Sequence, residues 1–153
     1  MNLIIDVGNT RIKLGFFENK TLKNFFVITS VNELFNHPEF LSLLNQTHKV
    51  IISNVTNVEL TEFFKKNCYN SPIIQLTSSI PLPFQIDYET PHTLGQDRLA
   101  AVAGAVSEFP NTNLLIIDFG TCIKYNVCSN NVFMGGAISP GLQTRYNALH
   151  HYT

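Results

Sequence analysis

The sequence predicts an α/β chain. One complete lobe runs β-β-β-α-β-α-β, and the opening strands of a second, similar lobe follow it. Three observations lead there. Apolar runs rich in Val, Ile and Phe recur at strand length, bounded by Gly, Asn and Pro. Helical periodicity is confined to the stretches between certain of those runs. Lastly, Leu3-Ile4-Ile5-Asp6-Val7-Gly8-Asn9-Thr10 returns as Leu115-Ile116-Ile117-Asp118-Phe119-Gly120-Thr121, an internal repeat.

Residues 2–7, 11–18 and 21–29 read as three consecutive strands joined by Asn9-Thr10 and Asn19-Lys20. Ser30 can cap a helical stretch that Pro38 interrupts or restarts and that continues through Phe40, Leu41, Leu43 and Leu44. Val50 to Ser53 is a short buried strand. Asn57 is placed to cap a helix from about Val58 to Asn67, with Leu60, Phe63 and Phe64 on one face and Lys65-Lys66 in its last turn. Residues 73–76 form the last strand of an arrangement typical of a ribonuclease-H-like lobe. Residues 77–93, punctuated by Pro81, Pro83 and Pro91, read as a crossing loop with an extended piece. From Gly95 to Phe109 the apolar stripe Leu99, Val102, Ala103, Val106 marks a helix, kept thin by Ala100, Ala101, Gly104 and Ala105. Strands at about 114–118, 121–128 and 132–138 follow, with Ser129-Asn130-Asn131 as hairpin turn, and a helix starts near Leu142. The division is therefore 1–112 for the first lobe with its linking helix, and 113–153 for the beginning of the second.

Bulk properties narrow the function classes. A chain of 153 residues buries roughly 68–70% of the surface its unfolded form exposes. Net charge is −1 without a basic block, which argues against nucleic acid as a partner. Charged residues are 14% of the chain, against about 25% in ordinary domains. Together with 12 Phe, this points either to extra buried surface or to a low-charge proteome. No signal-peptide pattern opens the chain, and no apolar run reaches the ~18 residues of a membrane helix. Cys68, Cys122 and Cys128 have neither disulfide-framework nor zinc-site spacing. His92, His150 and His151 form no ligand set. These readings give a cytoplasmic protein with no membrane partner.

The repeat carries the chemistry. An apolar strand ending in Asp-x-Gly turns tightly, and its Gly lets the backbone approach a ligand. Backbone N–H groups of Gly8 and Asn9, the Thr10 hydroxyl and the Lys13 ammonium can hold phosphate oxygens. Asp6 can hold Mg²⁺, directly or through water. Two such turns suggest related lobes gripping one nucleotide. The alternative for the first copy alone is an ordinary β-hairpin.

Four blocks in order resemble the type III pantothenate kinases, of the superfamily shared by actin, sugar kinases and the heat-shock chaperone ATPase. Asp6-Val7-Gly8-Asn9-Thr10-Arg11-Ile12-Lys13 resembles that family's first phosphate block. Tyr88-x-x-Pro91-x-x-Leu94-Gly95-Gln96-Asp97-Arg98 resembles its pantothenate-binding block. Asp118-Phe119-Gly120-Thr121 resembles the second phosphate block. Gly135-Gly136-x-Ile138-x-Pro140-Gly141-Leu142 is similar to the block after the second hairpin. The resemblance implies ATP-dependent phosphorylation of pantothenate, the entry step to coenzyme A, by a homodimer using Mg²⁺ and K⁺ or NH₄⁺. It implies ATP contacts from residues 6–13 and Thr121, and substrate contacts from Tyr88, Gly95, Gln96, Asp97 and Arg98.

Asp97 is the candidate base. It lies in the first turn of a helix, where the dipole favours a carboxylate by ~0.3–1 kcal/mol. It can accept the proton of a primary alcohol as that oxygen attacks the γ-phosphate; its other reading is a helix-start acid. The planar fork of Arg98 suits the substrate carboxylate, or else pairs with a surface acid. Tyr88 contacts substrate or fills the core. Asp118 resembles the monovalent-cation residue, or serves as a second Mg²⁺-side acid. The sequence departs from the family pattern at Cys122 and Lys124, where Ala and Thr are usual. Lys124 is read as reaching phosphate or as pointing to solvent. The chain stops inside the second lobe's first helix, which reads as a fragment or truncated product with poor solubility or weak ATP binding. Two other functions compete: a non-catalytic regulatory relative, and a kinase for another small alcohol.

Overall fold

Strict alternation along Asn2–Val7 buries Leu3, Ile5 and Val7 and makes this segment the central strand β1. The computed structural model describes residues 1–35, 37–56, 60–68 and 71–153, with the backbone alone at Phe35 and Thr61. Within Met1–Leu76, the first of two units, β1 pairs antiparallel with β2 (Ile12–Glu18), which pairs antiparallel with β3 (Thr21–Ile28). On its other edge β1 pairs in parallel with β4 (Lys49–Asn54), and β4 with β5 (Ile73–Gln75), so the order is β3-β2-β1-β4-β5. This is the ribonuclease-H-like lobe that the sequence predicts.

Helices cover the apolar face. The predicted single stretch is two pieces, α1 (Asn32–Phe35) and α2 (Pro38–Leu44), because Pro38 restarts the helix in its first turn, where its missing N–H costs nothing. Ser30 and Glu33 cap α1: the Glu33 carboxylate accepts the Ser30 N–H at 3.0 Å and the Thr29 hydroxyl at 2.6 Å. Phe16, Phe26 and Phe40 form an edge-to-face triangle with centroids 5.7–6.0 Å apart. Helix α3 is described from Thr61 to Asn67, with Leu60 and Phe64 buried. The expected cap Asn57 and start Val58 lie outside the described residues.

The second unit is Thr77–Thr153. Its antiparallel strands β7 (Asn113–Phe119), β8 (Cys122–Ser129) and β9 (Val132–Pro140) are joined in order. Asn130 and Asn131 make the β8–β9 turn with φ of 48° and 62°, both left-handed as a two-residue hairpin requires. The predicted extended piece is β6 (Gln85–Ile86), parallel to β9 at the sheet edge. Helix α4 (Gln96–Glu108) buries Leu99, Val102 and Val106, and α5 is Leu142–Tyr152. Residues 77–112, grouped with the first lobe by the repeat, pack in this unit. None of the helices among the described residues is long and apolar enough to cross a membrane.

Register divides this second sheet into two faces. Leu114, Ile116 and Asp118 lie opposite Cys128, Asn126 and Lys124, and α4 lies against β7 and β8 on that side. On the other face Leu115, Ile117, Phe119 and Val127 are exposed, Phe119 by 76%. Helix α5 buries no residue.

Two glycines of this unit respond oppositely to a side chain. At Gly104 an added Cβ meets nothing within 4 Å, so the expected close packing at that point of α4 is absent. Gly104→Ala should stabilise the unit by about 0.5–1 kcal/mol through helix propensity. At Gly136, φ is 156° and a Cβ would overlap the Tyr125 carbonyl. Gly136→Ala should destabilise by more than about 3 kcal/mol. Denaturant unfolding followed by circular dichroism reads both.

Candidate active site

Cross-strand register builds the centre of the second unit. Asp118 on β7 stands directly opposite Lys124 on β8, on the face against α4. The first turn of α4 brings in Asp97. Lys124 Nζ donates to Asp118 Oδ2 at 3.0 Å and to Asp97 Oδ2 in a short ion pair. Asp97 Oδ1 accepts the Arg98 N–H at 2.8 Å, so both carboxylate oxygens are held. Gly95 is required beside it, because a Cβ there would come within 2.6 Å of Asp97 Oδ1. Burial by itself disfavours the Lys124 ammonium. The hydrogen bonds and charges of Asp97 and Asp118 outweigh it and hold the pKa above the ordinary lysine value. The stabilisation this gives is therefore complete below the lysine range, and is lost only as pH rises through the folded value.

Arg98 points into the same sheet and is buried. Its Nε donates to Asn126 Oδ1 at 2.7 Å, and its guanidinium lies 5.5 Å from the Phe133 ring centre. Tyr88 stacks on Phe133 from a centroid distance of 6.3 Å, above Gly135. Gly136 leaves the room that Arg98 Nη2 occupies. Arg98 Nη2 and Asn126 Nδ2 are both buried without an acceptor among the described residues. Two buried donors on hydrogen-bonded neighbours suit an anion with two oxygens, and an unmet buried donor costs about 1–3 kcal/mol.

The Asp-x-Gly turns share one construction. Gly8 N–H closes its turn on Arg11 O, and Gly120 N–H closes the other on Cys122 O, each at 3.1 Å. The Gly8 amide is thus engaged in the hairpin. Asp6 and Lys13 stand opposite each other as Asp118 and Lys124 do, but at 3.4 Å and with side chains 38% and 52% exposed. Ser53 is next to Asp6 in register, and its buried Oγ has no partner among the described residues. At the second turn Thr121 O accepts the Gly141 N–H at 2.9 Å and the Thr144 hydroxyl at 2.8 Å, fixing the start of α5.

The two expected metals fare differently. A hydrated Mg²⁺ needs only one or two carboxylates besides phosphate, and the half-exposed Asp6 fits that. Among the described residues no group of three His, Cys, Asp or Glu converges on a metal. A monovalent cation at Asp118 does not fit, since Lys124 already occupies Oδ2. Two cations about 4 Å apart repel by roughly 4 kcal/mol at an effective dielectric constant near 20.

Sequence reading named Tyr88, Gly95, Gln96, Asp97, Arg98 and Asp118 as site residues, and the structure places Asp97, Arg98 and Asp118 in one unit, with Lys124 joining Asp97 to Asp118. It missed Lys124 as a partner of both carboxylates. The signal was available, because Lys124 follows its Asp much as Lys13 follows Asp6. Asn126 and Phe133 carried no signal.

The family model for type III pantothenate kinase matches residues 2–153. The chain belongs to the type III pantothenate kinase family. The family's enzyme from Christiangramia forsetii is 43% identical across all of this chain, which spans 63% of that relative's length. The one from Flavobacterium psychrophilum is 40% identical over the same extent, spanning 64%. Fold likeness extends to a Campylobacter jejuni protein described in the Baf family of transcriptional activators, with a TM-score of 0.60 at 23% identity, over 99% of this chain and 60% of that one. An Aquifex aeolicus Ppx/GppA phosphatase gives 0.51 at 14% identity, over 97% of this chain and 55% of that one.

The Arg98 pocket of this type III pantothenate kinase family member makes a stability prediction. Asn126→Ala leaves Nε of a buried guanidinium without an acceptor and should cost about 1.5–3 kcal/mol, read by urea unfolding.

Proposed function

We propose that this protein phosphorylates pantothenate at its terminal hydroxyl using ATP, the entry step to coenzyme A. Family membership supports the substrate, and one structural observation carries the residue roles: Asp97 presents a fixed carboxylate, and its neighbour Arg98 on α4, with Asn126 on β8, presents two buried unmet donors. Asp97 is the base. Two of the about four acceptor sites on a carboxylate are engaged by Lys124 and the Arg98 amide. The remaining ones can take the alcohol proton as its oxygen attacks the γ-phosphorus. Arg98 Nη2 and Asn126 Nδ2 receive the substrate carboxylate. Both are closed to solvent, so their cover opens when the anion enters.

The phosphates are assigned to Asn9, Thr10, Lys13 and Thr121, with Val7, Arg11 and Ile12 shaping the first turn. Phosphoryl transfer depends mainly on such positioning and charge neutralisation. Asp6 would hold Mg²⁺ through water, and the ion would neutralise phosphate charge. Tyr88, Gly95 and Gln96 line the substrate side. A cytoplasmic location and a homodimer belong to the same proposal. The exposed Leu115 and Phe119 support the homodimer, and light scattering that gives a monomer would remove it.

The test is an ADP-release assay on protein expressed from its complete reading frame. ADP should form only with pantothenate present, and a panel of sugars should give none. Asp97→Asn should lower kcat by about 10²–10⁴-fold with an unchanged circular dichroism spectrum. Equal turnover of Asp97→Asn and wild type removes Asp97 from the mechanism.

A further inference from the structure

We propose that the Lys124 ammonium is a resident cation, occupying the place a diffusible monovalent cation would take between Asp118 and Asp97. Resting on the reading above, the kinase then works without K⁺ or NH₄⁺. The end of a lysine side chain is an ammonium group on a tether, a compact point charge with three donors. One donor goes to Asp118 Oδ2 at 3.0 Å and another to Asp97 Oδ2. The side chain is 22% exposed, so the charge is sheltered from competing ions in solution. The first hairpin is an internal control. It has the same Asp opposite the same Lys, yet Lys13 contacts Asp6 at 3.4 Å, is 52% exposed, and pairs with no second carboxylate among the described residues. Among the described residues, only the second hairpin receives a further acid from a helix. Lys124 therefore neutralises two acids and fixes the orientation of Asp97, which makes it a positioning residue.

The β8 register gives the physical reason. Position 124 is the one residue of β8 directly across from Asp118. A short side chain there leaves Asp97 and Asp118 facing a gap that an ion must fill; a lysine fills it covalently. The sequence alternatives for this side chain, a phosphate contact or solvent, are both replaced by this ion-pair role.

Thallium(I), a potassium mimic visible by NMR, tests this without substrate. Wild type should show no saturable Tl⁺ binding that Asp118→Asn abolishes. Its turnover of pantothenate should be the same in KCl and in choline chloride at equal ionic strength. Lys124→Ala should gain saturable Tl⁺ binding, lose at least tenfold in turnover in choline chloride, and recover on adding KCl. Lys124→Thr, the residue usual in the family, gives the same readout should the alanine variant fail to fold. Asp118-dependent Tl⁺ binding to wild type, or its activation by K⁺, overturns the proposal. So does a folded Lys124 variant that binds no Tl⁺, or one whose only defect is a K⁺-independent rise in KM for ATP. A protein inactive on pantothenate in every salt overturns the kinase reading, while the Tl⁺ arm still decides the cation question.

Discussion

The side chain of Lys124 ties the start of α4 to the second hairpin through two carboxylates. That bridge fixes the orientation of Asp97, and Asp97 is the group on which the proposed chemistry turns. Its strength has two sources. Lys124 and Asp97 are largely sheltered from water while Asp118 is half-exposed, and the three come from three different elements, each held by its own backbone. Removing the ammonium would leave two partly buried acids facing each other, which is the costly arrangement. The acid cluster and the lysine therefore stand as a unit.

A repeat in sequence need not be a repeat in chemistry. Both Asp-x-Gly turns close on the glycine amide, and both place Lys opposite Asp. In the first hairpin the pair is loose and open to solvent, so the Lys13 ammonium remains available to an anion. In the second it is shorter and shared with α4, and its ammonium is shielded although Asp118 is half-exposed. The difference arises from what packs against each hairpin face, since the two local sequences are nearly the same.

Arg98 shows the same dependence on surroundings. A guanidinium with one bond to Asn126, a ring beneath it and an unmet nitrogen is an incomplete arrangement. The missing Cβ of Gly136 keeps the space beside Arg98 Nη2 open. The glycines of the four sequence blocks thus have separate reasons. Gly95 clears the Asp97 carboxylate, Gly136 clears Arg98 and the Tyr125 carbonyl, and Gly141 lets the start of α5 close on the second turn.

Much of this architecture was legible along the chain. Apolar runs closed by Asp-x-Gly mark β1 and β7, Ser129-Asn130-Asn131 marks the β8–β9 turn, the stripe from Leu99 to Val106 marks α4, and Pro38 marks the helix restart. These signals lie within a few residues of one another, so the sequence alone determines them. It also determined the fold class and the block containing Asp97. What only the tertiary structure decided is partnership: that Lys124 faces two acids, that the Gly8 amide is engaged, that Arg98 meets Asn126 and Phe133. Those contacts join residues far apart in sequence. They depend on strand register and on the face to which a helix docks, which no local pattern encodes.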